Sequence, residues 1–274
     1  MKEMTIKDIQ RVSLDMLREI HDFCVKNNLK YSLSGGTLLG AIRHNGFIPW
    51  DDDIDIQMPQ QDYLFFIKNF NSTNGLKVFS SIVDGCEHTR LRLAKVCDIK
   101  KTKVDYGPLK WTEDEVGVCV DVQPCVGAPN DIQDAKKFLK KYNTYMRLGR
   151  CYASKYISFR DIFRFTSPKE RFKAFVYKFI SPFVSKGWYT KLIKHQFTYE
   201  YDKSDYFMAS PHYQMREWQS KQNMSDFILH KFEDTEFYIM SGWDANLQKL
   251  YGDYMKLPPE KERISHDFFR YYWK

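Results

Sequence analysis

Residues 49–59 read PWDDDIDIQMP, and the phase of this stretch decides how the chain folds. Asp51, Asp52, Asp53 and Asp55 crowd four acids into five positions, yet they stand among Trp50, Ile54, Ile56 and Met58. From Asp53 to Met58 polar and apolar residues alternate strictly, the period of a half-buried strand. Residues two apart on a strand share a face. Asp53 and Asp55 therefore point one way, and Ile54 and Ile56 point into apolar contact. Asp51 joins the acidic side if the strand begins early, and Asp52 falls on the wrong face. Carboxylates crowded beside a core repel one another and are costly to desolvate. Two compensations exist: pairing with Arg or Lys, or a divalent cation, for which hard oxygen ligands favour Mg²⁺ or Mn²⁺.

Upstream, SGGTLLG (34–40) reads as a glycine turn opening a short helix, whose first N–H groups form an anion site. It fits neither GxGxxG nor GxxxxGK[ST], which excludes the dinucleotide-fold and P-loop readings. Downstream, VGVCVDVQP (116–124) is a second strand. Val116, Val118, Val120 and Val122 face one way, and Gly117, Cys119 and Asp121 the other. Asp121 is thus placed to complete a carboxylate cluster. A glycine turn, a short helix and acids on a strand resemble the layout of polymerase-β-like nucleotidyltransferases. The expected fold is α/β (α+β): a mixed sheet of that type with an added helical region.

Other elements follow from periodicity. Ile6, Ile9, Val12, Met16, Ile20 and Phe23 predict an amphipathic helix over 5–26 with Thr5 as N-cap. YSLS (31–34) predicts a short strand, and Pro59 opens a helix with Tyr63, Phe66, Ile67 and Phe70 on one face. Residues 76–83 and 91–98 are further strand candidates. After about residue 130 the pattern turns helical, then mixed again near 226. Three parts are expected: a catalytic core over 1–130, a basic, aromatic-rich helical region over 131–225, and a C-terminal element over 226–274 that packs back on the core.

The chain has 274 residues, enough for one large domain or two modest ones. It shows no signal-peptide pattern and no apolar run long enough to span a bilayer, so a cytoplasmic protein is expected, at most peripheral at the inner face of the cell membrane. The six cysteines include no CxxC pair and are expected as reduced thiols. The net charge is +7, but eleven Lys and Arg in 150–194 face only Asp161 and Glu170. Seven phenylalanines are interleaved with those cations: Phe159, Phe163, Phe165, Phe172, Phe175, Phe179 and Phe183. Two readings stand open: contact with an anionic membrane surface, or a helical subdomain with Phe in its core and Lys/Arg in water. Nothing in it resembles a nucleic-acid reader motif, and no nucleic-acid partner is expected.

SGGTLLGAIRHNGFIPWDDDIDIQMP resembles the signature of the LicD family of phosphocholine transferases, whose relatives include fukutin and fukutin-related protein. The resemblance continues in LAKVCDIKKT (93–102) and VDVQP (120–124), and returns in the stretch 232–267 around NLQKLYGDYM. It implies Mg²⁺-dependent transfer of phosphocholine from CDP-choline, or of a related alcohol phosphate from its CDP donor, to a sugar hydroxyl, with CMP released. The implied acceptor is a glycan precursor of teichoic-acid, lipopolysaccharide or capsule type, expected to be lipid-linked. Asp53 and Asp55 are expected to bind metal, with Asp51 a lesser candidate, and Asp121 either completes the metal site or acts as general base. Gly35, Gly36 and Thr37 are expected to hold phosphate. Arg43 pairs with phosphate or with the acids, and Lys95 is a further phosphate candidate. Aromatic faces suit a quaternary ammonium; Phe47, Trp50, Trp111, Tyr251 and Tyr254 are available, and His266 can face the site. Departures from the family pattern fall at Ser34, at Gln123–Cys125 and at Ser241–Trp243, positions expected to line the pocket. The rival readings are transfer of ribitol, glycerol or ethanolamine phosphate, true nucleotidyl transfer with pyrophosphate released, and a membrane-peripheral glycolipid-binding protein with a structural acid cluster.

Overall fold

The first helix, α1 (Ile6–Lys26), begins where its sequence signals it: the Thr5 hydroxyl accepts from the Asp8 N–H while the Asp8 carboxylate accepts from the Thr5 N–H. This reciprocal box satisfies two N–H groups left over at any helix start. The computed structural model describes residues 1–83, 92–106, 114–165, 167–209, 215–263 and 269–274. Trp111 and His266, and Leu91 at the start of the 91–98 strand candidate, lie outside the described residues.

After α1 the chain forms β1 (Ser32–Leu33), α2 (Gly35–His44), β2 (Ile54–Pro59), α3 (Gln60–Asn69), β3 (Leu76–Phe79), β4 (Ala94–Asp98), β5 (Thr102–Asp105) and β6 (Cys119–Ala128). The stretch 131–225 supplies helices α4 (Ile132–Ala153), α5 (Phe159–Ile162), α6 (Pro168–Ile180) and α7 (Gly187–Gln196), and also strands β7 (Tyr206–Ala209) and β8 (Trp218–Ser220). The hairpin β9 (Phe227–Phe232)–β10 (Thr235–Met240), helix α8 (Trp243–Tyr251) and β11 (Arg270–Trp273) complete the chain.

The main sheet is mixed, as the sequence predicts. Its order is β1-β2-β6-β4-β3, and β7 and β8 extend it from the C-terminal half of β6. β2 and β6 run parallel; the other neighbours are antiparallel. One face is apolar: Ile54, Ile56, Val96, Val120 and Val122 are fully buried and share a core with Leu17 and Ile20 of α1 and Tyr63 and Phe66 of α3. By strand alternation the opposite face receives Asp55, Gln57, Lys95, Asp121 and Gln123.

The cysteines correct one expectation. Cys97 of β4 and Cys119 of β6 are register partners with Cα atoms 4.0 Å apart, and they form a disulfide. Spacing along the chain carries no sign of it, because the pair is created by antiparallel strand register. Cys24, Cys125 and Cys151 are free and buried.

Candidate active site

Asp55 and Asp121 sit directly opposite one another across β2 and β6, and Lys95 of β4 sits opposite Asp121 on the other side. The three form a row across neighbouring strands, which lie about 4.8 Å apart in any sheet. The Lys95 ammonium donates to Asp121 Oδ1. Burial alone would lower the Lys95 pKa; the Asp121 carboxylate, with help from Tyr106 and Asp55, outweighs it and holds the ammonium above its ordinary value. Lys95, expected to meet phosphate, is thus placed as a partner of the acids. Gln123, two residues on from Asp121 and on the same face, donates Nε2–H to Asp55 Oδ1 at 3.0 Å. A departure from the family pattern therefore falls on a direct contact with a site acid.

The Asp55 carboxyl is pushed well above the usual carboxylate range, first by burial and then by the negative charges of Asp53 and Asp121. The Gln123 hydrogen bond and the Lys95 charge act the other way without offsetting it. Its backbone is fixed from both sides: Asp55 N–H donates to Thr37 Oγ1 at 2.9 Å, and its carbonyl accepts from Ser34 N–H at 3.0 Å. Thr37 is buried. Its hydroxyl, expected on a phosphate, ties α2 to the start of β2.

Both glycines of the turn lie against acids. Gly35 adopts φ +54°, in the left-handed region that disfavours any side chain. A Cβ at Gly36 would stand 2.7 Å from Asp51 Oδ2, so that carboxylate rests on the bare face of the glycine. Asp51, Asp52 and Asp53 each offer an oxygen within 4.8 Å of the others. Asp52 belongs to this group despite the strand phase that sets it aside. The strand starts at Ile54, so alternation does not govern the irregular segment before it. Gln10 of α1 fixes that segment by donating to the Asp51 carbonyl at 2.8 Å. An all-carboxylate donor set at this spacing fits a hard divalent cation such as Mg²⁺ or Mn²⁺.

Above the acids lies a cleft of about 360 Å³, lined among others by Gly35, Gly36, Asp55, Gln123, Glu217 and Tyr251. Its size suits a small-molecule site. The N–H groups in the first turn of α2 have no partner within their helix, and the turn that carries them forms part of the cleft wall. Tyr251 comes from α8, so the C-terminal part of the family-like sequence meets the N-terminal part here. A Cβ on Gly35 would lie 3.8 Å from the Tyr251 hydroxyl. Burial, then Asp55, Glu217 and Asp51, hold that phenol well above its ordinary pKa, so it remains a donor.

Glu217 has no counterpart in the sequence reading. Its side chain is 13% exposed, and burial raises its carboxyl to about 7 against a smaller opposing effect of Arg216. It stands in a single turn (Met215–Glu217) just before β8. A lone acid in a short turn carries no periodicity, and strand pairing at the sheet edge is what brings it to the cleft.

Other candidates are engaged elsewhere. Arg43 stands eight residues along α2 from Gly35, about 12 Å by helical rise, and its Nη1 donates to the Tyr254 carbonyl at 2.9 Å. It fastens the chain after α8. Phe47 packs on Phe232 with ring centres 5.0 Å apart, Arg263 lies over the Trp50 ring at 5.6 Å, and the Tyr254 hydroxyl donates to Asp244. Of the five aromatics weighed for a quaternary ammonium, Tyr251 lines the cleft.

Comparison with known proteins gives a consistent picture. Residues 28–116 match the family described as LicD/FKTN/FKRP, nucleotidyltransferase domain. The lipopolysaccharide cholinephosphotransferase LicD of Haemophilus influenzae is 30% identical over 97% of this chain and 97% of its own length. An uncharacterized protein of Rickettsia typhi is 42% identical over 24% of this chain and 21% of its own length, and one of Rickettsia prowazekii is 44% identical over 22% and 23%.

Proposed function

The chain belongs to the LicD family of transferases, and from that premise we propose that it moves phosphocholine from CDP-choline to a sugar hydroxyl of a lipid-linked cell-surface glycan precursor, releasing CMP. The observation that carries this reading is the meeting of Asp55 and the glycine turn at one cleft, with Asp51 against Gly36 and with Asp53 and Asp121 close enough to act on the Asp55 carboxyl. Asp51, Asp52 and Asp53 gather in the segment just before β2, and the open end of α2 forms part of the cleft wall beside Asp55. The Haemophilus relative's name, a lipopolysaccharide cholinephosphotransferase, supports phosphocholine as the group moved and a surface glycolipid as the acceptor.

In this reading the acceptor hydroxyl oxygen bonds to the phosphorus that carries choline. The bond from that phosphorus to the bridging oxygen breaks, and CMP leaves with the electron pair. Asp51, Asp52 and Asp53, with Asp55 and Asp121 on the strands beside them, would hold Mg²⁺ or Mn²⁺. When bound, such a cation supplies positive charge against the diphosphate. The first-turn N–H groups of Gly35, Gly36 and Thr37 bind a phosphate oxygen. Lys95 holds Asp121 in place through their ion pair. Glu217 takes the proton of the acceptor hydroxyl, a role that suits a carboxyl poised near neutral pH. The Tyr251 ring offers a face to the choline cation, a contact worth about 0.5–2 kcal/mol.

The test is a donor screen with Mg²⁺ present: CDP-choline, CDP-ribitol, CDP-glycerol, CDP-ethanolamine and the nucleoside triphosphates, with CMP and pyrophosphate recorded. CMP from CDP-choline in excess of the other donors is expected. CMP from CDP-ribitol alone moves the donor assignment, and pyrophosphate from a triphosphate without CMP from any CDP donor overturns the reaction type.

A further inference from the structure

The helical stretch from Phe159 to Phe183 bears on the two readings that its sequence leaves open. Its phenylalanines do not form a core. Phe159, Phe163, Phe172, Phe175, Phe179 and Phe183 are all exposed, and Phe163, Phe172, Phe179 and Phe183 are each at least 70% exposed. In α6 Ala174 is the residue that is buried. Phe172, Phe175 and Phe179 recur at spacings of three and four, so they form one stripe along α6. Phe183, in the turn that follows, extends it, and Ile180 adds exposed apolar surface beside it. Folded monomers rarely leave so much contiguous apolar surface in water without a use for it.

The cations stand among these rings. The Lys178 ammonium lies 5.7 Å from the centre of the Phe159 ring, Lys173 5.6 Å from that of Tyr177, and Lys191 4.1 Å from that of Trp188. Asp161 is engaged by Ser158 and Arg164, and Glu170 is the one other acid set against the eleven Lys and Arg of 150–194, so this stretch carries a strong net positive charge. We propose that this face docks on an anionic lipid bilayer surface, with the α6 phenylalanines entering the headgroup–acyl boundary and the Lys and Arg meeting the headgroup phosphates. Among the described residues no helix is long and apolar enough to cross a membrane, so the contact is interfacial. Charge selects lipid over a second copy of the chain. A twofold interface would set this basic face against itself, whereas an anionic leaflet attracts each Lys or Arg near it. The surface involves none of the cleft residues, so it stands or falls apart from the transfer reaction.

The experiment is sedimentation of the full chain with vesicles of phosphatidylcholine plus phosphatidylglycerol, and with vesicles of phosphatidylcholine alone. The protein should pellet with the mixed vesicles, stay in solution with the neutral ones, and dissociate as salt rises. The triple variants Phe172→Ser/Phe179→Ser/Phe183→Ser and Lys169→Glu/Lys173→Glu/Lys186→Glu change exposed positions only. Each should keep the parent's melting temperature and donor turnover in solution while binding mixed vesicles at least roughly tenfold more weakly. Equal binding by either variant, or no pelleting of the parent, overturns the proposal. So does a concentration-dependent dimer in analytical ultracentrifugation that the Phe triple variant abolishes, because the face would then belong to a second copy. Lipid binding that survives while the donor screen fails would leave this inference intact and refute only the transfer chemistry.

Discussion

Replacing Glu217 by Gln keeps the shape of the cleft wall and removes a carboxyl that the fold holds at about 7. An unfolded glutamate titrates near 4.5. The folded state therefore binds the proton more tightly. Below the unfolded value both states are protonated and the stabilisation is fully present. As pH rises the unfolded chain ionises first, and stability is lost progressively until the pH passes the folded value. At 1.36 kcal/mol per unit, this difference comes to about 3 kcal/mol between the two limits. The groups facing Glu217 are Arg216, Tyr251 and Cys125. Tyr251 and Cys125 are held up by burial and stay protonated over this range. Asp55 is also raised and adds a slope of the same sign, but it does so in both proteins. Urea denaturation followed by tryptophan fluorescence in mildly acidic and mildly alkaline buffer isolates the Glu217 contribution. The difference in stability between Glu217→Gln and the parent should shift toward the variant by up to about 3 kcal/mol as pH rises. In turnover, kcat should fall by about 10²–10⁴, and the rise of rate with pH near neutrality should disappear. A stability difference that does not vary with pH would refute the burial argument. A variant with the parent's kcat and pH profile would refute the role as proton acceptor.

Three other perturbations test neighbouring parts of the site. Gly36→Ala sets a methyl 2.7 Å from Asp51 Oδ2, so Asp51 must move; divalent-cation affinity measured by calorimetry should fall with little change in melting temperature, and unchanged affinity would separate Asp51 from the metal. Lys95→Met leaves Asp121 without its cation and should cost about 2–3 kcal/mol, below the figure for a fully buried pair because the two side chains remain 20% and 25% exposed. Adding Asp121→Asn should recover part of that loss, and strict additivity in the double-mutant cycle would contradict the pairing. Thiol titration of the denatured, unreduced protein should count at least two thiols fewer than the six found after a dithiol reductant; six at the outset would contradict the Cys97–Cys119 bond.

The sequence exposes what depends on local periodicity. The Thr5 N-cap of α1, the phase of β2 and the split of β6 into valine and polar faces are all readable, because each is set within one element. Asp55 and Asp121 reach the same face for that reason alone. Pairing between elements is what stays hidden. Lys95 meets Asp121, and Cys97 meets Cys119, through the register of β4 on β6, which no spacing along the chain encodes. Asp52 joins the acid cluster because an irregular segment, not a strand, carries it. Glu217 arrives through strands at the sheet edge, and a single acid in a short turn leaves no pattern to find. The Phe and Lys/Arg mixture of 150–194 is visible in sequence, but burial alone distinguishes a core from a face, and the exposure of six of its seven phenylalanines supplies that distinction.

The central claim is that the gathered carboxylates serve a cleft where a CDP-activated alcohol phosphate is split from CMP. The most direct measurement is CMP release from CDP-choline, with a glycan acceptor and Mg²⁺, by the parent and by Asp53→Asn after both are shown to fold alike. The account predicts CMP in step with phosphocholine on the acceptor, dependence on the divalent cation, and loss of at least about 10²-fold in the variant. Full, cation-independent CMP release by correctly folded Asp53→Asn would contradict it.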